Sequence, residues 1–307
     1  MTSAVLIFPD RDTVTGGETP SEDTSQPTPP AATPPPAPPS PPPIIFKDLT
    51  EQNDSESLTI GDLSEFAGGL RALAGNDLVI GSSDNEKING NAGLDTLLGG
   101  TGDDILLGGR DSDRLFGENG NDILNGNRGR DLVVGGEDND FVRGGQDEDV
   151  LIGSAGNDTL VGDFGQDLLF GGTGEDLHVL RTDTAATDPN QADLIFNFNP
   201  AEDTIGLTNG LTANDITLEL FEIDITTQLS IFDLFPDQTS AVPPFSGQLV
   251  SPEDETTVNA TVEGVLIRNN QASSEFFGSS LGIVIGVTPA EISANFTTIS
   301  DDLLTLG

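Results

Sequence analysis

The residues with the clearest chemical potential are acids that recur at every ninth position between residues 72 and 179. When this segment is divided into twelve nonapeptides starting at Ala72, position 6 is acidic in every repeat, and Glu86 is the one departure from aspartate. Carboxylate oxygens are hard ligands that favour hard divalent cations such as Ca²⁺. The candidate metal ligands at position 6 are Asp77, Asp95, Asp104, Asp113, Asp122, Asp131, Asp140, Asp149, Asp158, Asp167 and Asp176.

Glycine accompanies these acids at positions 1, 2 and 4, where it permits backbone angles closed to other residues and lets carbonyl oxygens crowd around an ion. Carboxylates and carbonyls together suit Ca²⁺, which accepts roughly six to eight oxygens, better than Mg²⁺, which demands a tighter octahedron. Zinc would need His or Cys, and the chain has one His and no Cys. The glycines predicted to line the metal sites are Gly99, Gly100, Gly102, Gly108, Gly117, Gly120, Gly126, Gly129, Gly135, Gly144, Gly153, Gly156, Gly162, Gly165, Gly171 and Gly174.

The rest of the repeat predicts how these groups are positioned. The first six residues supply turn chemistry, and the last three form a minimal strand whose middle residue, apolar at position 8 until His178, points inward. Strand, turn, strand and turn give one coil per eighteen residues, and coils stack as parallel strands about 4.8 Å apart. The position 6 acids then form two columns, one along each edge of the stack.

Charge makes these columns unstable without cations. Neighbouring carboxylates one strand spacing apart repel by roughly 1 kcal/mol in water, and by more at a lower effective dielectric. The chain carries a net charge of −41, with 52 acidic and 11 basic residues, which disfavours nucleic acid and anionic membranes as partners. Its longest apolar run, residues 281–287, is too short to span a bilayer. Metal binding is therefore expected to supply folding free energy to the repeats.

The repeats resemble the repeats-in-toxin (RTX) family of Gram-negative bacteria, as shown by residues 99–107 (GGTGDDILL) and 171–176 (GGTGED). The resemblance extends to residues 192–207, 281–288 and 296–304. It implies a parallel β-roll that holds several Ca²⁺ ions between turns two repeats apart, with position 6 carboxylates and loop carbonyls as ligands. It further implies export by a type I secretion machinery that reads an uncleaved signal near the C-terminus, and folding outside the low-calcium cytosol.

Several repeats depart from this pattern. Glu86 at position 6, with Asp84 and Lys87 beside it, predicts a weak or empty site in residues 81–89. Aspartate at position 4 in residues 108–116, 135–143 and 144–152 either adds a ligand or distorts a turn that wants glycine. His178 is interpreted as a cap at the end of the stack, with a metal role as the alternative.

We therefore predict an all-β fold: a right-handed parallel β-roll of nonapeptide repeats with a β-rich C-terminal cap and a disordered Pro-rich N-terminus. Residues 1–43 form the linker, or alternatively a docking segment for an aromatic-lined groove; residues 44–71 are an entry segment. Residues 72–179 form the roll, and residues 180–307 form the cap, in which residues 222–261 resemble an insertion.

The function predicted for the chain is calcium binding by an extracellular protein with a structural, surface or buffering role. No enzyme is predicted, because the 71 residues before the repeats contain no recognisable catalytic motif and a single His excludes any site that needs two. The alternatives are a module that binds a cell-surface polysaccharide or protein through residues 180–307, and, as a third hypothesis, an enzyme with a site in that segment.

Overall fold

The structure is a computed structural model and describes residues 44–181, 183–224, 261–270 and 280–300. The expected Pro-rich linker, residues 1–43, lies outside these residues. All of the described residues belong to one compact unit. None of the helices in the described ranges is long and apolar enough to cross a membrane.

Strands dominate the described residues, with one short α-helix, α1 (Pro289–Ile292), and two 3₁₀ turns, η1 (Pro189–Gln191) and η2 (Ala213–Asp215). The strands are β1 (Lys47–Asp48), β2 (Ser55–Ser57), β3 (Leu70–Arg71), β4 (Leu78–Ile80), β5 (Lys87–Ala92), β6 (Thr96–Thr101), β7 (Ile105–Arg110), β8 (Arg114–Asn119), β9 (Ile123–Arg128), β10 (Leu132–Glu137), β11 (Phe141–Gln146), β12 (Val150–Ala155), β13 (Thr159–Phe164), β14 (Leu168–Thr173), β15 (Leu177–Leu180), β16 (Asp193–Phe196), β17 (Thr204–Leu207), β18 (Ile216–Asp224), β19 (Thr261–Asn269), β20 (Ser280–Ile285) and β21 (Phe296–Thr298).

From β1 to β17 the strands alternate between two sheets, which confirms the predicted parallel β-roll. One sheet has the order β1-β3-β5-β7-β9-β11-β13-β15-β17-β21, and the other has β18-β19-β20-β16-β14-β12-β10-β8-β6-β4-β2. Within the repeats each strand pairs in parallel with the strand two places along the chain, for example Leu97 with Leu115. One coil therefore takes two nonapeptides, as the sequence predicted.

The strands within the roll are longer than the sequence predicted. From β5 to β14 they run for six residues, through position 3 of the next repeat, so the turn proper is positions 4 to 6. The prediction of a six-residue turn was too long, because positions 2 and 3 pair with the next coil, as Gly100 does with Glu118 and Thr101 with Asn119, although position 2 has a positive φ. Pairing there satisfies backbone groups that the stack buries.

The interior of the roll is a single file of side chains from position 8. Those from Val79 to Leu169 are fully buried and belong to one apolar cluster. The file continues past the repeats with Leu70 before them and Ile205 and Leu207 after them. Burial of aliphatic side chains stabilises the roll by about 1.5 to 3 kcal/mol each.

The roll continues beyond the repeats at both ends. At the N-terminal end β1, β2 and β3 form a further coil, so the entry segment contributes strands to both sheets. At the C-terminal end β16 and β17 continue the two sheets, and β20 and β21 pair with them in parallel. β18 and β19 pair antiparallel as far as Asp224 and Thr261, at the two boundaries of the expected insertion. Residues 225–260 lie outside the described residues.

The outer face of the second sheet carries a second apolar cluster. Positions 7 and 9 point away from the interior, yet Leu132, Val150 and Leu168 are almost completely buried. Phe170 stacks on Phe196 with ring centroids 4.9 Å apart. At these strands the outer face of the second sheet is therefore apolar and shielded from water, as the interior is.

Candidate metal centre

The position 6 acids form two hydrogen-bonded columns along the roll. The backbone N–H of each position 6 residue donates to Oδ1 of the position 6 aspartate one coil later. Asp77 donates in this way to Asp95 (2.9 Å), and Glu86 donates to Asp104 (2.6 Å). The bonds within the repeats measure 2.6 to 3.0 Å. The first column contains Asp77, Asp95, Asp113, Asp131, Asp149 and Asp167, and the second contains Glu86, Asp104, Asp122, Asp140, Asp158 and Asp176.

The second oxygen of every aspartate in these columns lacks a partner. Oδ2 is buried and accepts no hydrogen bond in all eleven, and the side chains are 3% exposed or less. Buried polar atoms without partners are rare in proteins, and each costs about 1 to 3 kcal/mol. A row of such oxygens fits a row of cations, since a cation is a partner that several acceptors can share.

Glycine at position 1 leaves the space that these oxygens face. A Cβ built on Gly117 would overlap Oδ2 of Asp122 and lie 2.6 Å from the carbonyl oxygen of Gly135, one coil later. Gly108 shows the same arrangement, with Asp113 and the Gly126 carbonyl, 2.8 Å away. Carboxylate and carbonyl oxygens from consecutive coils thus approach one point, which only a residue without a side chain keeps open.

Positive φ angles at positions 2 and 4 give the turn its shape. Position 4 keeps this conformation where aspartate replaces glycine, with φ of 73° at Asp111, 74° at Asp138 and 79° at Asp147. Aspartate tolerates the left-handed region better than most residues. The predicted distortion at these positions was therefore wrong; the alternative, that they add a ligand, stays a prediction, and all three side chains are exposed.

Burial strongly perturbs the ionisation of the columns. Loss of water raises the pKa of Asp113 to about 9, that of Asp140 to about 8, and that of Asp104 to about 7. Burial, and then repulsion from Asp167, raises the pKa of Asp149 well above its usual range. The columns therefore resist holding their full charge in the absence of cations, because buried carboxylates prefer the neutral form.

The second repeat satisfies its acid without an ion. The carboxylate of Glu86 accepts hydrogen bonds from the Ser82 backbone N–H (3.2 Å) and the Ser82 hydroxyl. Asp84, at position 4, does not adopt the positive φ of its counterparts. This loop differs from the others as its sequence does, which supports the prediction that residues 81–89 bind an ion weakly or not at all.

Side chains alone do not complete the sites. Within the described residues, no group of three or more His, Cys, Asp or Glu side chains converges so as to hold a metal ion. Ions between the coils would therefore depend on the position 6 carboxylates together with backbone carbonyls. That donor set is all oxygen, which suits Ca²⁺ with its flexible coordination.

His178 is an interior residue. It is fully buried, pairs between Leu160 and Ile205 on neighbouring strands, and lies against Phe198 with ring centroids 5.7 Å apart. Burial lowers its pKa to about 4, so its ring is neutral at ordinary pH. Because β17 and β21 follow β15 in the sheet, the interpretation of His178 as the end of the stack was wrong.

The structure adds one buried ion-pair cluster that the sequence did not predict. Asp163, at position 2 with φ of 76°, is bonded to both Arg143 and Arg181, and Arg181 also pairs with Asp183 (2.6 Å). Arg130 also lies near an acid of the next coil, with its guanidinium 3.9 Å from Glu148. Nothing in the spacing of these residues marks Asp163 as different from other loop acids.

Both columns continue beyond the twelve repeats. The backbone N–H of Asp54 donates to Asp77 (2.7 Å), and those of Asp167 and Asp176 donate to Asp193 and Asp203 (3.2 Å each). The ligand set predicted from the sequence omitted Asp54, Asp193 and Asp203. The acid-then-apolar steps at residues 193–196 and 203–205 are the signal that could have found two of them.

The comparison with known families matches seven overlapping windows, which together span residues 70–177, to the RTX calcium-binding nonapeptide repeat. The repeat segment belongs to this RTX family. No curated protein matches the chain. The RTX repeats imply several bound Ca²⁺ ions, and the buried columns of unpartnered oxygens fit them. Asp54, Asp193 and Asp203 lie outside the matched RTX residues.

Proposed function

We propose that this protein is a secreted calcium-binding β-roll whose repeats fold when Ca²⁺ fills the gaps between coils. The observation that carries the proposal is the pair of aspartate columns, in which eleven buried Oδ2 atoms lack a partner. The role of each of the predicted ligands, carboxylates and glycine carbonyls alike, is part of this proposal.

The energetic reason lies in the columns themselves. Burial and mutual repulsion oppose ionisation of the stacked carboxylates, so the roll without cations carries an electrostatic penalty along its whole length. A bound Ca²⁺ neutralises two charges and gives the unpartnered oxygens a partner. At a Ca²⁺ concentration a hundredfold above the dissociation constant, each site adds about 2.7 kcal/mol to the stability of the fold.

We further propose an extracellular location, with export by type I machinery and folding in calcium-rich surroundings. A chain without cysteine has no disulfide to stabilise its fold outside the cell, and bound metal ions can stabilise it instead. The expected export signal, residues 296–304, is described only to Ser300; residues 301–307 lie outside the described part. A structural, surface or calcium-buffering role follows, and we propose no catalytic one.

The alternative, recognition of a polysaccharide or protein by the C-terminal strands, would be favoured by an exposed aromatic patch. In the described part of that segment, Phe198 is buried, whereas Phe196, Phe221 and Phe296 are half-buried. No observation there favours the alternative over calcium binding.

The proposal is tested by comparing two double variants of the full chain. Asp122→Asn/Asp140→Asn alters neighbouring rungs of the second column, while Asp10→Asn/Asp12→Asn removes the same charge from the N-terminal segment. Isothermal titration calorimetry should show weaker calcium binding for the first variant and parental binding for the second. Equal losses would show that overall charge, and not the columns, governs calcium binding.

A further inference from the structure

The second sheet has an apolar outer face that the metal sites do not explain. Buried residues at positions 7 and 9 of β10, β12 and β14, extended by residues of β16, β19 and β20, form one cluster, which we call the outer cluster. Its central members are Leu132, Val134, Val150, Ile152, Leu168 and Phe170. These side chains point away from the single file that fills the interior, so they form a separate core.

Burial of the outer cluster requires a layer of atoms above the sheet. Val150 is 1% exposed and Phe170 is 5% exposed, although both lie on the outside of the roll. Leu78 and Ile80 occupy the same positions on β4 of the same sheet, and each is 37% exposed. An apolar sheet face is stable in water when another element covers it. The contrast therefore indicates that a further layer covers β10 to β14 and leaves β4 open.

The described ranges supply little of this layer. The members of the outer cluster that lie outside strands are Ala186 and Ala192, both from the connection between β15 and β16. Two methyl groups cannot cover a face that extends over six strands. Within the described residues no other side chain from outside the sheet belongs to the cluster. The rest of the layer therefore comes from a segment outside them.

Two of the segments outside the described ranges are long and contain an apolar run, which is AVLIF at residues 4–8 and LSIFDLF at residues 229–235. The shorter residues 271–279 leave β19 and return at β20, so they extend about 15 Å from these strands at most. β10 lies four strand spacings from β20, about 19 Å away. Residues 271–279 therefore cannot cover the whole cluster, and residues 301–307 follow β21 in the other sheet.

The gradient of burial along the second sheet favours the run at residues 229–235. Outward-facing residues change from exposed on β4, through half-buried Leu98 on β6 and Phe116 on β8, to fully buried Leu194 on β16. Residues 1–43 precede β1 and β2, at the exposed end of this series of strands. Residues 225–260 connect β18 and β19, at its buried end. Cover that increases toward β18 and β19 fits a layer that starts there.

The insertion also begins and ends beside the outer cluster and is long enough to cross it. Phe221 on β18 and Leu266 on β19 belong to the cluster, and residues 225–260 join these two strands. Residues 229–235 follow Asp224 by five to eleven residues, which span about 17 to 37 Å when extended. β10 lies six strand spacings from β18, about 29 Å away. The apolar run can therefore reach every strand of the cluster.

We propose that residues 225–260 pack on the outer cluster through the apolar side chains of residues 229–235, so that the C-terminal half of the roll has three layers. The inference goes beyond the proposed function, because this contact needs no metal ion. The insertion then acts as a partner within the same chain, and it keeps an apolar face of several strands from associating with other molecules. The side chains that the run supplies are Leu229, Ile231, Phe232, Leu234 and Phe235.

Photo-crosslinking of the full chain in Ca²⁺ identifies the occupant of this face. p-Benzoylphenylalanine replaces Phe196, a half-buried member of the outer cluster that stacks on Phe170. The matched control replaces Phe164, an exposed phenylalanine of the first sheet. Peptide mapping should find residues 225–260 joined to position 196 and not to position 164. Crosslinks from position 196 to residues 1–43 or to a second copy, or no crosslink from it, would overturn the proposal.

A pair of charged variants tests the contact independently. Phe232→Asp/Phe235→Asp and its control Leu6→Asp/Phe8→Asp each replace two apolar residues with two acids, one pair in each apolar run. For chains folded in Ca²⁺, binding of an apolar fluorescent dye should increase several-fold in the first variant and stay parental in the second. A parental dye signal in the first variant, or an equal rise in both, would contradict the proposal. If the first variant does not fold, the crosslink from position 196 decides.

Discussion

Neutralising Asp113 should have opposite effects on the metal-free and the calcium-bound roll. Oδ1 of Asp113 accepts the Asp95 amide at 2.8 Å, and Oδ2 has no partner. Asparagine keeps the acceptor and removes the buried charge, so Asp113→Asn should stabilise the metal-free roll. The same change removes a calcium ligand and should weaken calcium binding.

The magnitude follows from the pKa of Asp113, which burial raises from 3.8 to about 9. A carboxyl whose pKa is higher in the folded state destabilises that state as pH rises above the unfolded value. At pH 7 this cost is about 4 kcal/mol, because each pKa unit corresponds to about 1.4 kcal/mol. Asp113→Asn should recover up to that amount in the absence of Ca²⁺.

Trimethylamine N-oxide is used to fold the full chain in the presence of chelator, and folding is monitored by far-UV circular dichroism. A Ca²⁺ titration without the osmolyte is measured in parallel. Asp113→Asn should fold at a lower osmolyte concentration than the parent and need more Ca²⁺. The matched control is Glu175→Gln, which removes one charge from an exposed residue at position 5 of another loop. A parental osmolyte midpoint or a parental Ca²⁺ midpoint for Asp113→Asn would refute the reasoning.

Three further predictions concern pH and the loops. Burial raises the pKa of Asp122 to about 6 and that of Asp140 to about 8, so protons compete with Ca²⁺ for these carboxylates. The Ca²⁺ concentration at the folding midpoint should therefore rise as pH falls from 8 to 6, while the metal-free roll gains stability. A midpoint that does not change with pH would contradict this. Gly117→Ala places a methyl group 2.6 Å from the Gly135 carbonyl oxygen and should lower calcium affinity in calorimetry. Gly206→Ala, where the nearest neighbours are side-chain atoms 3.2 Å away, should not lower it. Equal losses of affinity would show that the space at position 1 does not serve calcium binding. Ser82→Gly/Glu86→Asp removes the Ser82 hydroxyl donor and restores aspartate at position 6 of the second repeat, and it should add an ion in native mass spectrometry. An unchanged ion count would show that something other than these two residues limits binding in this loop.

The repeating part of the fold was predictable because one physical rule applies twelve times. An inward side chain at position 8 and a stacked acid at position 6 recur in every coil, so Leu97 and Leu115 could be placed in the interior from spacing alone. The same regularity predicted two acid columns, which the hydrogen bonds from Asp77 to Asp95 and from Glu86 to Asp104 confirm.

The features that escaped prediction depend on contacts without a fixed period. Asp193 and Asp203 join the columns across 26 and 27 residues, a spacing set by the connecting loops. The strands are six residues long because positions 2 and 3 also pair with the next coil, and the glycine content of the loop hides that preference. His178 was misplaced because the strands that follow it lack the nonapeptide pattern.

The central claim is tested most directly by far-UV circular dichroism of the full chain during a Ca²⁺ titration, with Mg²⁺ at equal ionic strength as the control. The account predicts a cooperative gain of β signal with Ca²⁺ and little change with Mg²⁺, because the unpartnered carboxylate and carbonyl oxygens suit the larger ion. A chain that is fully folded in chelator and does not respond to Ca²⁺ would contradict it.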